Sequence, residues 1–306
     1  MKIIMETDIG RDLDDFIALC YFIDAGVDIC LITISPGDPD QVALTKFLLK
    51  ECGLIIPVGV SSVDRNKRSI GGTHVELLNK YQYTGTEKHD GLGSQLLFDI
   101  LKTEENIEYF GCGPLDSIGA VFGDKFYLER DLVHAAPYPK KVTVQGGYVS
   151  YEYLEKHGIT PQVKLDKFVG KEFVPTFNLC GNVDAAKHVL EMPIEKRFIS
   201  KNVCHTIVYE NTMHAVMCSV RPKSRAGELL REVMGMYLKN HPNGKKFHDP
   251  AAAVCHLHPE IGTWVKGRLV YGCGGKWGTI DLLPYNCEII GDINSHCMIH
   301  YLSKGT

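Results

Sequence analysis

Glu6, Asp8, Asp12, Asp14 and Asp15 lie within ten residues of one another in the segment ETDIGRDLDDFIAL. They surround Gly10, between a short apolar run, KIIMET, and LDDFIALCYFIDAG, whose apolar residues recur at helical spacing. A helix N-terminus stabilises a carboxylate by only about 0.3–1 kcal/mol. Aspartates crowded there repel one another strongly unless a cation compensates them. Oxygen donors with no His or Cys among them select a hard cation, calcium or magnesium. N-capping is the competing role, and Asp12 or Asp14 could fill it. A cap accounts for one or two acids, not for the whole group.

Far downstream, KKFHDPAAAVCHLHPEI sets His248 and Asp249 directly before an Ala-rich helix opened by Pro250. Taken alone, Asp249 reads as an ordinary N-cap and His248 as a surface histidine. Beside the acidic cluster, Asp249 becomes a distant carboxylate ligand, and His248 a group able to protonate a leaving group near neutral pH. GCGPLDSIGAVF adds a Gly-Pro turn that enters a helix. Such a turn presents a backbone carbonyl to a metal or amides to an anion, or is simply tight.

The elements that must position these groups alternate. KIIMET, VDICLITIS and IIPVGV read as strands, separated by helices that stop at Gly26 and Gly53. IEYFGCG, KKVTVQGG and FISKNV continue the strands; PLDSIGAVF, DAAKHVLEM and SRAGELLREVMGMYLKNH read as helices, and GRLVYGC to MIHYL as a β-rich finish. Strand–helix–strand units imply right-handed parallel crossovers. The expected fold is α/β, one domain over 1–306 with an open, mainly parallel sheet flanked by helices. Strand carboxyl ends, where open sheets place ligands, are where the acids fall. Residues 61–93 read as a long irregular loop with about one helical turn, and YVSYEYLEKHGITPQVKLDKFVGKEFVPTFN as a second irregular region.

Bulk properties narrow the partners. A net charge of −4 and a pI near 6.3 give no electrostatic reason to expect nucleic acid or an anionic membrane. The eleven cysteines show no CxxC pair, and several sit in apolar runs, as Cys20 and Cys30 do. They read as reduced buried thiols. MKIIMETDIG is not a signal peptide and no apolar run is long enough for a bilayer, so a cytoplasmic location is expected.

Together these segments resemble the inosine–uridine-preferring nucleoside hydrolase family, in collinear order over most of the chain. ETDIGRDLDDFIAL is similar to its DxDxGxDD signature with two extra residues, KHDGLG to its HGxDGLG loop and GPLDS to its GPLTN turn. QGG resembles its MGG strand end, PTFN its AEFN element and HDPAAAV its HDxxA motif. The resemblance implies hydrolysis of a nucleoside N-glycosidic bond with a bound Ca²⁺, in a homodimer or homotetramer. It implies that Asp8, Asp15 and Asp249 ligate the metal with the Asp116 carbonyl, and that Asp8 takes a proton from water. Asp14 and Asn178 would hold the sugar, and His248 would lie near the leaving base. His89, in the loop motif, would touch the base or be solvated; His74, Tyr81 and Tyr83 share that loop, and either tyrosine would stack on the base or pack the loop down.

Several sugar-pocket positions depart from the family. Asp38 stands where an Asn is usual, Thr176 replaces the AEFN glutamate and Gln145 the MGG methionine; the family's Gly-Asn before AEFN has no clean counterpart, Gly170-Lys171 being the nearest. Losing a carboxylate and gaining a lysine makes the 5′ end less acidic. The substrate then carries a modified or phosphorylated 5′ end, or is an unusual nucleoside drawn from salvage. Asp12 is expected to cap the helix. The competing readings are a silent relative that senses a nucleoside or sugar, and a magnesium phosphatase, which leaves the His-Asp-Pro helix start unexplained.

Overall fold

The computed structural model describes residues 1–62, 70–123, 137–272 and 274–304. Its strands are β1 (Lys2–Thr7), β2 (Asp28–Ile34), β3 (Val58–Val60), β4 (Gly91–Leu92), β5 (Ile107–Cys112), β6 (Lys141–Gln145), β7 (Glu195–Ile199), β8 (Val208–Tyr209), β9 (Lys245–Lys246), β10 (Gly262–Gly272), β11 (Lys276–Ile280) and β12 (Cys287–Ile293). Ten of them form one sheet in the order β11-β10-β12-β7-β6-β5-β1-β2-β3-β4, while β8 and β9 pair separately. Every pairing from β4 across to β12 is parallel; β10 runs antiparallel to β11 and β12, which makes the C-terminal finish an antiparallel edge.

β1 lies inside the sheet and is buried on both faces, as parallel strands covered by helices are. Its side chains alternate between two cores. Ile3 and Met5 pack with the helices Asp14–Asp24, Arg225–Asn240 and Asp249–Leu257; Ile4 packs on the other face with Gly93–Thr103, Asp116–Phe122 and Val183–Glu191. Thr7 and Cys112 end β1 and β5 in register, so the loops that follow both strands start side by side.

Two elements differ from those expected. The helix Gly72–Lys80 occupies much of the stretch read as irregular. Its buried positions are His74 and Leu77, and a histidine in a core position hides the apolar period. Tyr81 and Tyr83 pack on Phe47, with ring centroids 5.3 and 5.4 Å away, and Tyr81 Oη donates to Glu232 at 2.7 Å. They hold this segment against the body. The chain also returns to helix after β12, over Ser295–Lys304. Trp277 is fully buried and its strand bridges to Val174, which ties the segment before Thr176 to β11. Among the described residues no helix is long and apolar enough to cross a membrane.

The helix Asp249–Leu257 is seated on the sheet by His256. Its Nδ1 lies 2.8 Å from Thr143 Oγ1, and its ring stands 5.9 and 5.7 Å from those of Phe22 and Phe110. Burial, with help from Lys141 and Arg197, pushes its pKa down to about 3. Glu108 lies 3.5 Å from Nε2 but is already paired with Lys141 at 2.7 Å, so it does little to favour the cation. A base whose folded pKa is depressed leaves the unfolded chain binding more protons below pH 6.5. Stability is therefore lost as pH falls below that value, by about 2 kcal/mol at pH 5 for this group. Urea denaturation at pH 7 and pH 5 should show a smaller loss for His256→Gln than for wild type; parallel losses would remove His256 as a source of acid sensitivity.

Candidate active site

The acidic loop leaves β1 after Thr7, and the helix begins at Asp14 with Leu13 at its N-cap and no side-chain cap. Asp12 is therefore not the cap. Its Oδ1 instead accepts from its neighbour Leu13 N at 2.6 Å and faces Lys245 Nζ at 3.0 Å. Thr7 Oγ1 accepts from Ile9 N at 3.1 Å and donates to Asp15 Oδ1 at 2.5 Å, which fixes the turn and aims one carboxylate. His74 Nδ1 holds the Gly10 carbonyl at 2.6 Å from the helix alongside. A Cβ on Gly71 would come within 2.4 Å of the Arg11 carbonyl, so that helix approaches the loop closely only because the position is glycine.

The Gly-Pro turn closes the other side. A Cβ on Gly113 would meet the Thr7 carbonyl carbon at 2.9 Å, so the turn lies directly on the end of β1. Glu6, the remaining acid of the cluster, is committed underneath. It accepts from Ser117 N at 3.1 Å, Ile118 N at 3.5 Å, Ser35 Oγ at 3.3 Å and the Tyr109 hydroxyl. Burial pushes it up to about 7. Glu6 thus satisfies the first amides of the helix Asp116–Phe122 and pins it to β1. Asp116 gives its side chain to Asn182 Nδ2 at 2.7 Å, and its charge acts on Asp8.

Asp249 reaches this place from the far end of the chain. Burial pushes its carboxyl well up, and the charges of Asp15, Asp14, Asp8 and Asp12 add to the shift. Burial likewise raises Asp15 strongly, Asp14 to about 7 and Asp8 to about 6. Lys245, nearly buried, is the cation that answers part of this charge: its Nζ lies 3.1 Å from Asp14 Oδ1. Asp14 Oδ2 accepts from His248 N at 3.0 Å, with His248 Nδ1 3.4 Å away. Lys245 serves Asp14 and Asp12, which leaves Asp8, Asp15 and Asp249 repelling one another. Among the described residues no three of these side chains converge closely enough to form a metal site. Their chemistry nonetheless fits a hard cation: an all-oxygen set, buried, whose charge lacks a counterpart.

The other expected residues fall into a chain beside His248. Cys204 Sγ lies 3.7 Å from the His248 carbonyl and 3.7 Å from Gln145 Nε2. Asn178 Nδ2 donates to Gln145 Oε1 at 2.9 Å and to the Gln145 carbonyl at 3.0 Å. Thr176, next along, is 2% exposed, and its hydroxyl has no partner. Lys171 has an exposed side chain, and its carbonyl accepts from Tyr148 Oη at 2.9 Å. Asp38 enters through Gln41, whose Oε1 accepts from Asp38 N at 2.8 Å while Nε2 donates to the Asp8 carbonyl at 3.2 Å. His89 stands just before the amino end of β4, and among the described residues no hydrogen bond or ring contact joins it to this group.

Sequence reasoning missed Lys245, Gln41, His205 and the anchoring role of His74. Lys245 had a signal, three residues before His248 in KKFHDP, that only the charge on Asp14 makes meaningful. His205, whose ring lies 4.9 Å from that of His248, had none.

Fold and site define an open α/β protein with buried carboxylates gathered at the carboxyl ends of its central strands. Residues 3–294 match the family described as inosine-uridine preferring nucleoside hydrolase. An uncharacterized protein of Aquifex aeolicus (strain VF5) is 26% identical over 281 residues, 88% of each chain. A plant nucleoside hydrolase superposes with a TM-score of 0.73 at 18% identity, over 99% of this chain and 98% of its own. A purine-preferring ribonucleoside hydrolase from Gardnerella vaginalis gives 0.68 at 14% identity, over 100% and 98%. An inosine-uridine preferring nucleoside hydrolase from Bacillus anthracis gives 0.68 at 15%, over 100% and 99%. The chain belongs to the inosine-uridine preferring nucleoside hydrolase family, and with it to the hydrolases that act on N-glycosyl bonds.

The buried Lys245–Asp14 pair generates a stability prediction. Lys245→Met should cost on the order of 3 kcal/mol, because it strands a buried carboxylate. The same change in an Asp14→Asn background should cost much less. Chemical denaturation of the four proteins in this cycle tests it; additive losses would mean that the pair is not coupled.

Proposed function

We propose that the protein hydrolyses the N-glycosidic bond of a ribonucleoside, releasing free base and ribose, with calcium held by Asp8, Asp15, Asp249 and the Asp116 carbonyl. The observation that carries this reading is the meeting of buried aspartates from the end of β1 and from the start of the helix Asp249–Leu257. A bound calcium ion would lower the pKa of a water and anchor vicinal hydroxyls.

The protein groups divide the remaining work. Asp14, fixed by Lys245 and the His248 amide, is held rigidly enough to accept a ribose hydroxyl. Asp8 would take a proton from the attacking water. The carboxylates around the sugar favour the positive charge that grows on an oxocarbenium-like transition state. Gln145 and Asn178 brace one another on the far side of His248 and offer the sugar polar contacts there. His248 Nε2 has no hydrogen-bond partner and is the ring atom left to meet the departing base. The altered positions Asp38, Thr176, Gln145 and Lys171 favour a substrate modified or substituted at its 5′ end, met in salvage.

The test is a screen of ribonucleosides, 2′-deoxynucleosides, 5′-nucleotides and modified nucleosides for free base and reducing sugar. Asp15→Ala should abolish release, and chelation should do so until calcium is restored. Activity that survives exhaustive chelation would refute the metal assignment, and binding without turnover of any substrate would favour the sensing reading. His248→Ala should slow natural nucleosides by about 10²–10⁴-fold. The loss should be far smaller on p-nitrophenyl riboside, whose leaving group needs little protonation. Equal losses on both would remove His248 as the proton donor.

A further inference from the structure

A second charged group lies on the His248 side of the site, and of it only Lys171 enters the reading above. Lys167, Lys171, Lys201 and Lys246 approach from the 3₁₀ turn Asp166–Phe168 and the residues after it, from the end of β7 and from β9. Lys167 Nζ lies 2.6 Å from His205 Nδ1, and the His205 ring is the one packed against His248. The charges of Lys246, Lys201 and Lys171 all act on Lys167, and those of Lys167, Lys246 and Lys201 on His205. Lys201 Nζ lies 2.7 Å from the Pro175 carbonyl, beside Thr176 with its buried, unpartnered hydroxyl.

These lysines are set apart by facing one another rather than by lacking a partner. Lys2, Lys46, Lys80, Lys156 and Lys164 each pair with a carboxylate, and Lys239, Lys266 and Lys276 do not; the four rim lysines likewise have none within 4.0 Å among the described residues, but they gather around one histidine. Among the described residues neither Asp166 nor Glu172, their sequence neighbours, forms an ion pair with them. In a chain of net charge −4, an unpaired knot of ammonium groups around a histidine pair is a standing repulsion that an anion would relieve.

Its position selects the anion. In a β-ribonucleoside the vicinal hydroxyls project from one face of the ring, and the base and the 5′ carbon from the other. Hydroxyls held at the acidic end put both base and 5′ carbon on the side of His248 and the lysines. The base is neutral near pH 7 and gains little from four cations. A phosphate monoester carries −1.5 to −2 charges there and offers three acceptor oxygens. We infer that Lys167, Lys201 and Lys246, with Lys171 and Thr176, form a phosphate subsite, and that the substrate is a ribonucleoside 5′-monophosphate. This rests on the N-glycosidic reading above and narrows its substrate class.

Two measurements separate the two readings. The first compares kcat/KM for a panel of ribonucleosides and the matching 5′-monophosphates. The second compares calorimetric binding of ribose 5-phosphate, ribose and inorganic phosphate to the calcium-loaded protein. The monophosphate should be preferred at least tenfold, and ribose 5-phosphate should bind at least tenfold tighter than ribose or phosphate alone. Lys167→Gln/Lys246→Gln, both at exposed positions, should lower each ratio at least tenfold; Lys201→Gln, half-buried, should do the same with circular dichroism unchanged. Nucleosides cleaved as well as their monophosphates, with ribose 5-phosphate binding no tighter than ribose, would overturn the subsite and leave the hydrolase standing. Inorganic phosphate bound as tightly as ribose 5-phosphate would overturn its assignment to a substrate. No base release from any compound, with tight ribose 5-phosphate binding lost in the double variant, would support the subsite and remove the glycosidic reaction.

Discussion

Asp14, Asp15 and Asp249 are buried together at the carboxyl end of an apolar parallel sheet, where an ionised carboxylate is costly unless something answers its charge. Much of the surrounding structure is organised around that cost. Lys245 is brought in under Asp14, and the attraction of Asp14 and Asp12 outweighs the burial that would otherwise lower its pKa. The first backbone amide of the His-Asp-Pro turn is spent on Asp14 and the Thr7 hydroxyl on Asp15. What remains uncompensated is the charge shared by Asp8, Asp15 and Asp249, and that residue of charge is what a cation would take up.

Topology makes this gathering possible. β1 and β5 are neighbours and end in register, so the acidic loop and the Gly-Pro turn leave the sheet together. Glu6 joins them from below by accepting the first amides of the turn's helix. A carboxylate that reads in sequence as one more member of the cluster is thus a structural strut. The acids divide between those that build the basin and those that face into it, and the division follows from strand alternation: Glu6 points to the face opposite Met5, whereas the aspartates lie beyond the strand's end.

Regular elements were legible where apolar periodicity was strong, as in β1, the helix after it and the helix Arg225–Asn240. The helix Gly72–Lys80 was not, because His74 stands where an apolar residue would mark the period. That Asp14, Asp15 and Asp249 gather at the strand ends was legible because carboxylates are costly to bury without a purpose. Lys245 was not, since a lysine beside another lysine looks like solvated surface until the carboxylate it meets is located. Asp12 was misread for the converse reason: a cap and a salt-bridge partner look the same in sequence, and only the position of Lys245 decides between them.

The basin that results is polar across its width. Carboxylates gather beyond β1 and β5, and the lysines gather around His205. His248 stands between, its amide on Asp14 and its ring on His205. Burial and the ammonium groups of Lys245, Lys201 and Lys246 push its pKa down to about 4, below the near-neutral value expected of a donor, so His248 would carry a proton to the base only where negative charge growing on that base raises the pKa again. A field of this sign favours positive charge at the acidic end and negative charge at the other. Breaking a bond between a sugar and a base separates charge in that sense, leaving the sugar positive and the base negative. The same field would hold an anionic substituent away from the carboxylates, so catalysis and orientation would draw on one electrostatic gradient.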